Sequence, residues 1–409
     1  MHATTTPRPL SMTQILICGA LIVTMSMGVR HGFGLWLQPM TTANGWTREH
    51  FSLAMAVQNL TWGFVGIGAG MLADRLGAVK VLMVGGLLYA LGLVGMAYST
   101  TPTMLALTCG VILGCAQACT TYAVIYGVIG RNVDPSKRSV AMGITAAAGS
   151  FGQFLMLPLE GFLITQTGWQ LALLICALLA LMILPLSLGL REPGFSGGKP
   201  AVPRSQTAGQ AMREALTHPS FILLNLGYFV CGFQVVFIGV HMPSYLRDNG
   251  FNPQVASYAL ALIGLFNIFG TYLTGVLGQT YTKKYILAAI YTLRSIGIII
   301  FLMTPLTATS VYIFSAYIGF LWLCTVPPTN ALIAQMFGVG HLSMLGGTAF
   351  FSHQVGSFLG VWLGGLLYDK TGSYDIVWQL AIVLGVIASL LHLPIKERAI
   401  ERAPVGAAA

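Results

Sequence analysis

Apolar runs of 18 to 30 residues recur along almost the whole of this 409-residue chain, and nothing else in it limits the possible folds as severely. A helix that crosses a bilayer needs about 20 consecutive, mostly apolar residues. Only 8% of the chain is charged while 56% is apolar, against roughly a quarter charged in an ordinary soluble protein. A water-soluble globule and a disordered chain are both excluded. The runs predict twelve spans, numbered 1 to 12 below, at 14–38, 52–73, 81–98, 104–129, 139–164, 169–190, 221–243, 255–277, 286–303, 308–336, 343–367 and 376–394. The expected fold class is an all-α membrane protein. Residues 1–13 form an N-terminal segment, 14–190 a first six-helix bundle, 191–220 a polar linker, 221–394 a second bundle and 395–409 a tail. The linker carries Gly194, Gly197, Gly198, Pro200 and Pro203 and has the composition of a flexible loop.

The formal charge of +9 is not spread evenly. Of the 20 Lys and Arg, 15 fall in alternate connections and the two ends, three in the opposite connections (Arg48, Arg247, Lys370), and two inside apolar runs (Arg30, Arg294). This is the positive-inside pattern, so nucleic acid is not the expected partner and both ends are expected in the cytoplasm. A bacterial inner membrane, a monomer and a retained first span are the corresponding expectations. The seven cysteines all lie in apolar runs without ligand spacing, which predicts neither disulfides nor a metal site. No nucleophile–base pair, His-x-x-His spacing or phosphate loop is present, so an enzyme, a cofactor and ATP-driven pumping are not expected.

The two halves can be laid over each other. At an offset of 204 residues, Arg138 to Trp169 meets Leu342 to Ser373 with ten identities in 32 positions, among them Gly143/Gly347, Gly152/Gly356, Gly161/Gly365 and Thr167-Gly168/Thr371-Gly372. The same offset pairs Phe33 with Phe237 and Pro39 with Pro243, and Asn44-Gly45 meets Asn249-Gly250 one residue further on. Glycine, proline and asparagine coincidences held at one spacing mark an internal duplication. Two parallel six-helix pseudo-repeats imply a cavity between them and alternate rocking of one against the other.

The segment Gly70-Met71-Leu72-Ala73-Asp74-Arg75-Leu76-Gly77-Ala78-Val79-Lys80 closes span 2 and opens span 3. Gly70 is expected to permit tight helix contact, Asp74 to accept hydrogen bonds from a neighbouring helix N-terminus, and Arg75 with Lys80 to anchor the turn that contains Gly77 in the cytoplasm. The run resembles the loop 2–3 motif of the major facilitator superfamily, which implies a twelve-helix carrier whose conformational change involves these residues. In the second half, Gly275-Val276-Leu277-Gly278-Gln279 has lost the acid. At the start of span 5, Lys137-Arg138-Ser139-Val140-Ala141-Met142-Gly143, continuing to Gly149, Ser150, Gly152 and Pro158, is similar to the pattern of the monocarboxylate transporters and oxalate/formate antiporters. Drug/proton antiporters carry a Gly-Pro pair at this level and an arginine in span 4, neither of which is found here. One departure from the monocarboxylate pattern is that Thr271 and Asn267 stand in span 8 where that family places an arginine and an aspartate.

Ionisable side chains inside spans are costly, at least ~2.5 to 3.5 kcal/mol each on the most lenient scale, and so point to function. Arg30 and His31 lie within Gly28-Val29-Arg30-His31-Gly32-Phe33-Gly34 of span 1, a span that lines the cavity in the resembled superfamily. Arg30 is expected to hold substrate, and His31 or His353 of span 11 to take part in proton coupling. Arg294 of span 9, a span that is peripheral in the resembled superfamily, is read either as a member of a helix–helix hydrogen-bond network or as a ligand; His353 is a further candidate ligand, with Tyr122 and Tyr126 of span 4, Gln234 at the repeat position of Arg30, Asn267 of span 8 and Asn330 of span 10 as accessory groups. Gln58, Asn59 and Thr329 are weaker candidates, and Trp322 and Phe233 either shape the pocket or face lipid. Glu160 is expected to reach water at the outer end of span 5, with proton carriage the lesser alternative. Deep positive charge without balancing acids favours an anionic substrate, a carboxylate being the simplest partner for a guanidinium. The sequence therefore predicts a secondary carrier of a small organic anion, a monocarboxylate first, coupled to protons or to exchange. A carrier of a vitamin or sugar acid and an exporter of metabolites or drugs are the alternatives.

Overall fold

The computed structural model describes residues 10–192, 206–338 and 340–400; the side chains of Asp74, Pro135, Ser136 and Ser139 are outside this description. The described residues are nearly all helical and contain no strand. Backbone groups in lipid must be satisfied within each segment, which helices do and open strands cannot. The first half holds span 1 (Met12–His31 and Gly34–Asn44), span 2 (Arg48–Leu76), span 3 (Ala78–Ala97), span 4 (Pro102–Asn132), span 5 (Pro135–Thr167) and span 6 (Trp169–Leu188). The second half holds span 7 (Pro219–Asp248), span 8 (Pro253–Thr280), span 9 (Lys283–Met303), span 10 (Ala308–Phe320 and Val326–Phe337), span 11 (Leu342–Thr371) and span 12 (Asp375–His392). Turns of the two halves reuse the same backbone device. Gly168 and its repeat mate Gly372 have φ of 83° and 71°, and Gly45 and Gly250 have 67° and 83°, a region that only glycine occupies cheaply.

Nine of the described helices are long and apolar enough to cross a membrane on those criteria alone. Spans 2 and 11 are long but more polar, and span 10 is broken. Spans 2 and 11 pack on each other across the interface between the halves, so much of their surface meets protein rather than lipid. Spans 5 and 8 form the second such pair, and the outer segment of span 1 meets span 7. Two refinements of the predicted limits concern the linker and span 1. Within the predicted flexible linker, Ala208–Thr217 is a helix, opened by a capping box of Thr207 and Gln210; residues 193–205 lie outside the description. Span 1 is interrupted after His31, where Gly32 and Phe33 form a turn before the helix resumes at Gly34.

The halves touch along one end. At the end where span 2 begins, called distal here, Arg48 meets Asp248 of the other half at 2.6 Å. Gly365 of span 11 lies against Ser52 and Gly161 of span 5 against Ser257. Contacts continue through Ser150–Asn267 at 2.8 Å to Gly63 against Gln354, about 22 Å of helix rise from Arg48. Beyond this depth Gly66, Gly68 and Gly70 of span 2, Gly143 of span 5, Gly275 and Gly278 of span 8 and Gly347 of span 11 have nothing within 4 Å of the point where a Cβ would stand. The expected close contact at Gly70 is therefore absent in this state. The bundle is sealed distally and diverges toward the end that carries the start of span 1 and the end of span 12.

Candidate functional site

Arg30 stands in the last turn before the break in span 1, where free helix carbonyls favour a cation. Its Nη2 donates to Oδ1 of Asn59 at 2.6 Å, and its guanidinium lies 4.6 Å from the centre of the Trp62 ring. Asn59 is itself anchored, donating from Nδ2 to the Met55 carbonyl at 2.8 Å. Nε of Arg30 is buried with no partner. His31 donates from Nδ1 to the Met27 carbonyl at 2.6 Å, since a carbonyl can only accept, and this leaves Nε2 as the proton-accepting nitrogen.

Arg30 and His31 line a narrow cavity between the halves, about 20 Å³, together with Met55, Gln153 and Trp322. That is room for about one water, so a ligand would enter only as the halves part. Two further orphaned polar atoms belong to this lining: Nε1 of Trp322 and Oε1 of Gln153 are buried without partners. None of the lining residues is acidic. Gly34 closes the distal wall, pressed against the Gly239 and Val240 backbone of span 7.

An aromatic bridge carries Arg30 across to the second half. Trp62 meets Phe350 edge-on at 5.1 Å, Phe350 stacks on His353 at 5.9 Å, and His353 lies 5.0 Å from Tyr228. His353 is buried, with Nδ1 3.2 Å from Oε1 of Gln354. Tyr122 is half-buried beside Gly149 and 5.8 Å from Tyr126, in the apolar cluster that contains Trp62 and Phe350. The Tyr126 hydroxyl donates to the Met142 carbonyl at 3.3 Å. Arg30, His31, Tyr122 and His353 are thus gathered around one interior region, with Tyr126 at its edge.

Other expected ligands are placed elsewhere. Span 10 unwinds between Phe320 and Val326, and there the carbonyls of Leu321 and Trp322 lack their helical donors, the Val326 N–H turning to the Leu323 carbonyl instead. Arg294 takes both. Its Nε and Nη2 donate to the Leu321 carbonyl at 3.1 and 2.7 Å, Nη2 also to that of Trp322, and Nη1 to Sγ of Cys231 and Oε1 of Gln234, each at 3.4 Å. All five guanidinium N–H groups are engaged and the side chain is 1% exposed. The expectation of Arg294 as a direct ligand is corrected in this state: it braces the break in span 10. Gln234 is held in the same brace, donating to the Ala381 carbonyl at 2.9 Å.

Asn267 serves the other side of that break. Its Oδ1 accepts the Leu323 N–H at 3.0 Å while Nδ2 reaches Ser150 of the first half. Asn330 is exposed and donates to the Val326 carbonyl one turn back. Phe233 is buried against Gly360 of span 11 rather than facing lipid. Gly77 has φ of 90° at the turn into span 3, and Arg75 is exposed, whereas the Asp74 side chain is outside the described residues. The expectation that Glu160 reaches water is also corrected: its carboxyl is fully buried against Gly32, and both oxygens lack partners.

The distal seal went unnoticed in the sequence. Arg48 pairs bidentately with Asp248 at 2.7 and 2.6 Å, donates to the Tyr374 hydroxyl at 2.8 Å and lies over the Tyr368 ring at 3.7 Å. Asp369 of span 11 accepts the backbone N–H groups of Arg48 and Glu49 at 3.1 and 2.6 Å, capping span 2 from the other half where Thr47 does not. The signal for it was three basic residues, Arg48, Arg247 and Lys370, on the side where the charge pattern predicts few.

A family model described as the Major Facilitator Superfamily matches residues 16–350 and 224–407. The uncharacterized MFS-type transporter YcxA of Bacillus subtilis (strain 168) is 25% identical over 376 residues, 89% of this chain and 90% of that protein. Monocarboxylate transporter 13 of Rattus norvegicus is 27% identical over 335 residues, 78% of this chain and 75% of that protein. Among solved structures, a bacterial homologue of the human lysosomal transporter Spinster, inward-facing and occupied, is similar with a TM-score of 0.74 over 96% of this chain and 98% of that one. At 18% identity that likeness shows the fold alone.

Proposed function

This chain belongs to the Major Facilitator Superfamily of membrane transporters, and we propose that within it the protein is a secondary carrier of a small organic anion, a monocarboxylate first. The observation that carries this reading is a cavity lined by Arg30 and Trp322, each with a buried N–H lacking a partner, and by no acid. An orphaned buried donor costs about 1–3 kcal/mol. A carboxylate in the cavity would remove that cost at Arg30 and gain a charge-assisted bond, while the Trp62 face supports the cation from the other side. A cationic solute would meet repulsion and a neutral one would leave the charge uncompensated. The names of the curated relatives agree with this substrate class.

In this reading Arg30 holds the carboxylate, Tyr122 and His353 border the site, and transport is coupled to protons or to exchange. Arg294 and Gln234 keep the broken span 10 in shape behind Trp322. The bodies that rock are 14–190 and 221–394, joined by 191–220. The basic end faces the cytoplasm of a bacterial cell, so that the distally sealed form opens inward. Counterflow in proteoliposomes tests the substrate class: labelled acetate, lactate, pyruvate and benzoate are each competed with unlabelled acids and with their amides. Inhibition by acids and not by amides is expected. Equal inhibition by both, or transport of neutral vitamins or drugs with no response to carboxylates, would overturn it.

A further inference from the structure

We propose that Glu160 of span 5 is the group that carries the proton through the transport cycle; this deepens the anion-carrier reading and rests on it. Glu160 is 0% exposed, and neither carboxyl oxygen has a hydrogen-bond partner. A carboxylate left so would cost several kcal/mol, whereas a neutral acid costs far less, so the site is built to house the protonated form. The carboxyl fills the space that a side chain at residue 32 would need. Gly32 is the turn that divides span 1, one residue after His31 and two after Arg30. The proton site and the anion site therefore share one break in one helix.

The same break separates Arg30 from Gly34, whose contact with Gly239 and Val240 seals the distal wall. Opening that wall moves Gly34–Asn44 away from span 7, and the turn at Gly32 is where span 1 can bend. The cover over Glu160 moves with it, and distal water reaches the carboxyl. A proton then passes from that water to a carboxylate oxygen, forming an O–H. Reclosure buries the neutral acid, and release to water in the opposite state restores the carboxylate. The titratable groups around it are His31 and Arg30 on span 1, Tyr89 on span 3 and Cys176 on span 6, while span 8 presents Ser257 beside Gly161. No acid competes with Glu160 for this proton among these neighbours.

The test uses full-length protein in proteoliposomes with the most active of acetate, lactate, pyruvate and benzoate, corrected for leak in protein-free vesicles. Wild type should accumulate the acid when a proton gradient is imposed. Glu160→Gln should lower that accumulation at least tenfold while carboxylate exchange, which needs no net proton movement, persists. Gradient-driven accumulation at the wild-type level in Glu160→Gln overturns the proposal. Wild-type exchange that ignores the gradient overturns it too, while leaving the anion-carrier reading intact; absence of any carboxylate exchange in wild type defeats that reading itself. Should Glu160→Gln fail to insert, Glu160→Asp is expected to accumulate the acid with a displaced pH profile, and an undisplaced profile overturns the assignment.

Discussion

Replacing Arg294 with lysine separates the brace from the binding site. Lysine keeps the positive charge but offers three donors on one nitrogen in place of five on a planar fork. The native guanidinium bonds the carbonyls of Leu321 and Trp322, Cys231 and Gln234. Side-chain hydrogen bonds within membranes average ~0.6 kcal/mol, so five contribute about 3 kcal/mol. A lysine able to keep two of them forfeits about 2 kcal/mol on the same scale. At 2–4 °C per kcal/mol, the figure for a body of 150–250 residues, the melting temperature falls by about 4–8 °C. Thermal unfolding followed by tryptophan fluorescence in detergent reads this shift, and carboxylate binding is measured on the same sample below both transitions. The expected pair of results is a lowered melting temperature with a Kd within about twofold of wild type. An unchanged melting temperature with binding at least tenfold weaker would refute the reasoning and return Arg294 to the binding site.

Two further perturbations address the distal seal. Gly34→Leu puts a branched side chain where the Gly239 and Val240 backbone already sits, so the distal wall should be wedged open. A cysteine at Gln38, in an otherwise cysteine-free background, should then react faster with a membrane-impermeant maleimide, and an unchanged rate would show that the wall yields elsewhere. Arg48→Ala removes the pair with Asp248, the bond to Tyr374 and the stacking on Tyr368. A loss of about 1–3 kcal/mol from the sealed form displaces the equilibrium roughly 5- to 150-fold, read by the same labelling, and labelling at the wild-type rate would deny the cluster a gating role.

The architecture was legible because lipid leaves so few options: span lengths, the duplication and the turn glycines all follow from backbone satisfaction and helix geometry. Helix 208–217 was written in its Thr207 to Gln210 cap but hidden by the surrounding Gly and Pro. Among the site residues, Arg30 could be singled out because a charge in a glycine-rich helix has few structural uses. Arg294 looked equivalent by composition. Its difference lies in the break of span 10 between Phe320 and Val326, which frees carbonyls some thirty residues away in sequence, and only tertiary packing brings those carbonyls to the guanidinium. Trp62, Phe350 and Gln153 were not distinguishable from core filler, since their part depends on which helices meet across the halves. Glu160 was misjudged for a related reason: depth along span 5 could be counted, but not the fact that span 1 covers it.

The measurement that bears most directly on the account is calorimetric binding of a carboxylate and its amide to purified wild-type protein and to Arg30→Gln. Loss of one partner from a buried charged contact costs about 2–5 kcal/mol, or roughly 30- to 5,000-fold in Kd. Wild type should prefer the acid over the amide, and Arg30→Gln should lose both that preference and the affinity for the acid while still folding. An Arg30→Gln protein that binds the acid with wild-type Kd and the same preference over its amide would contradict the assignment of Arg30 as the anion-binding group.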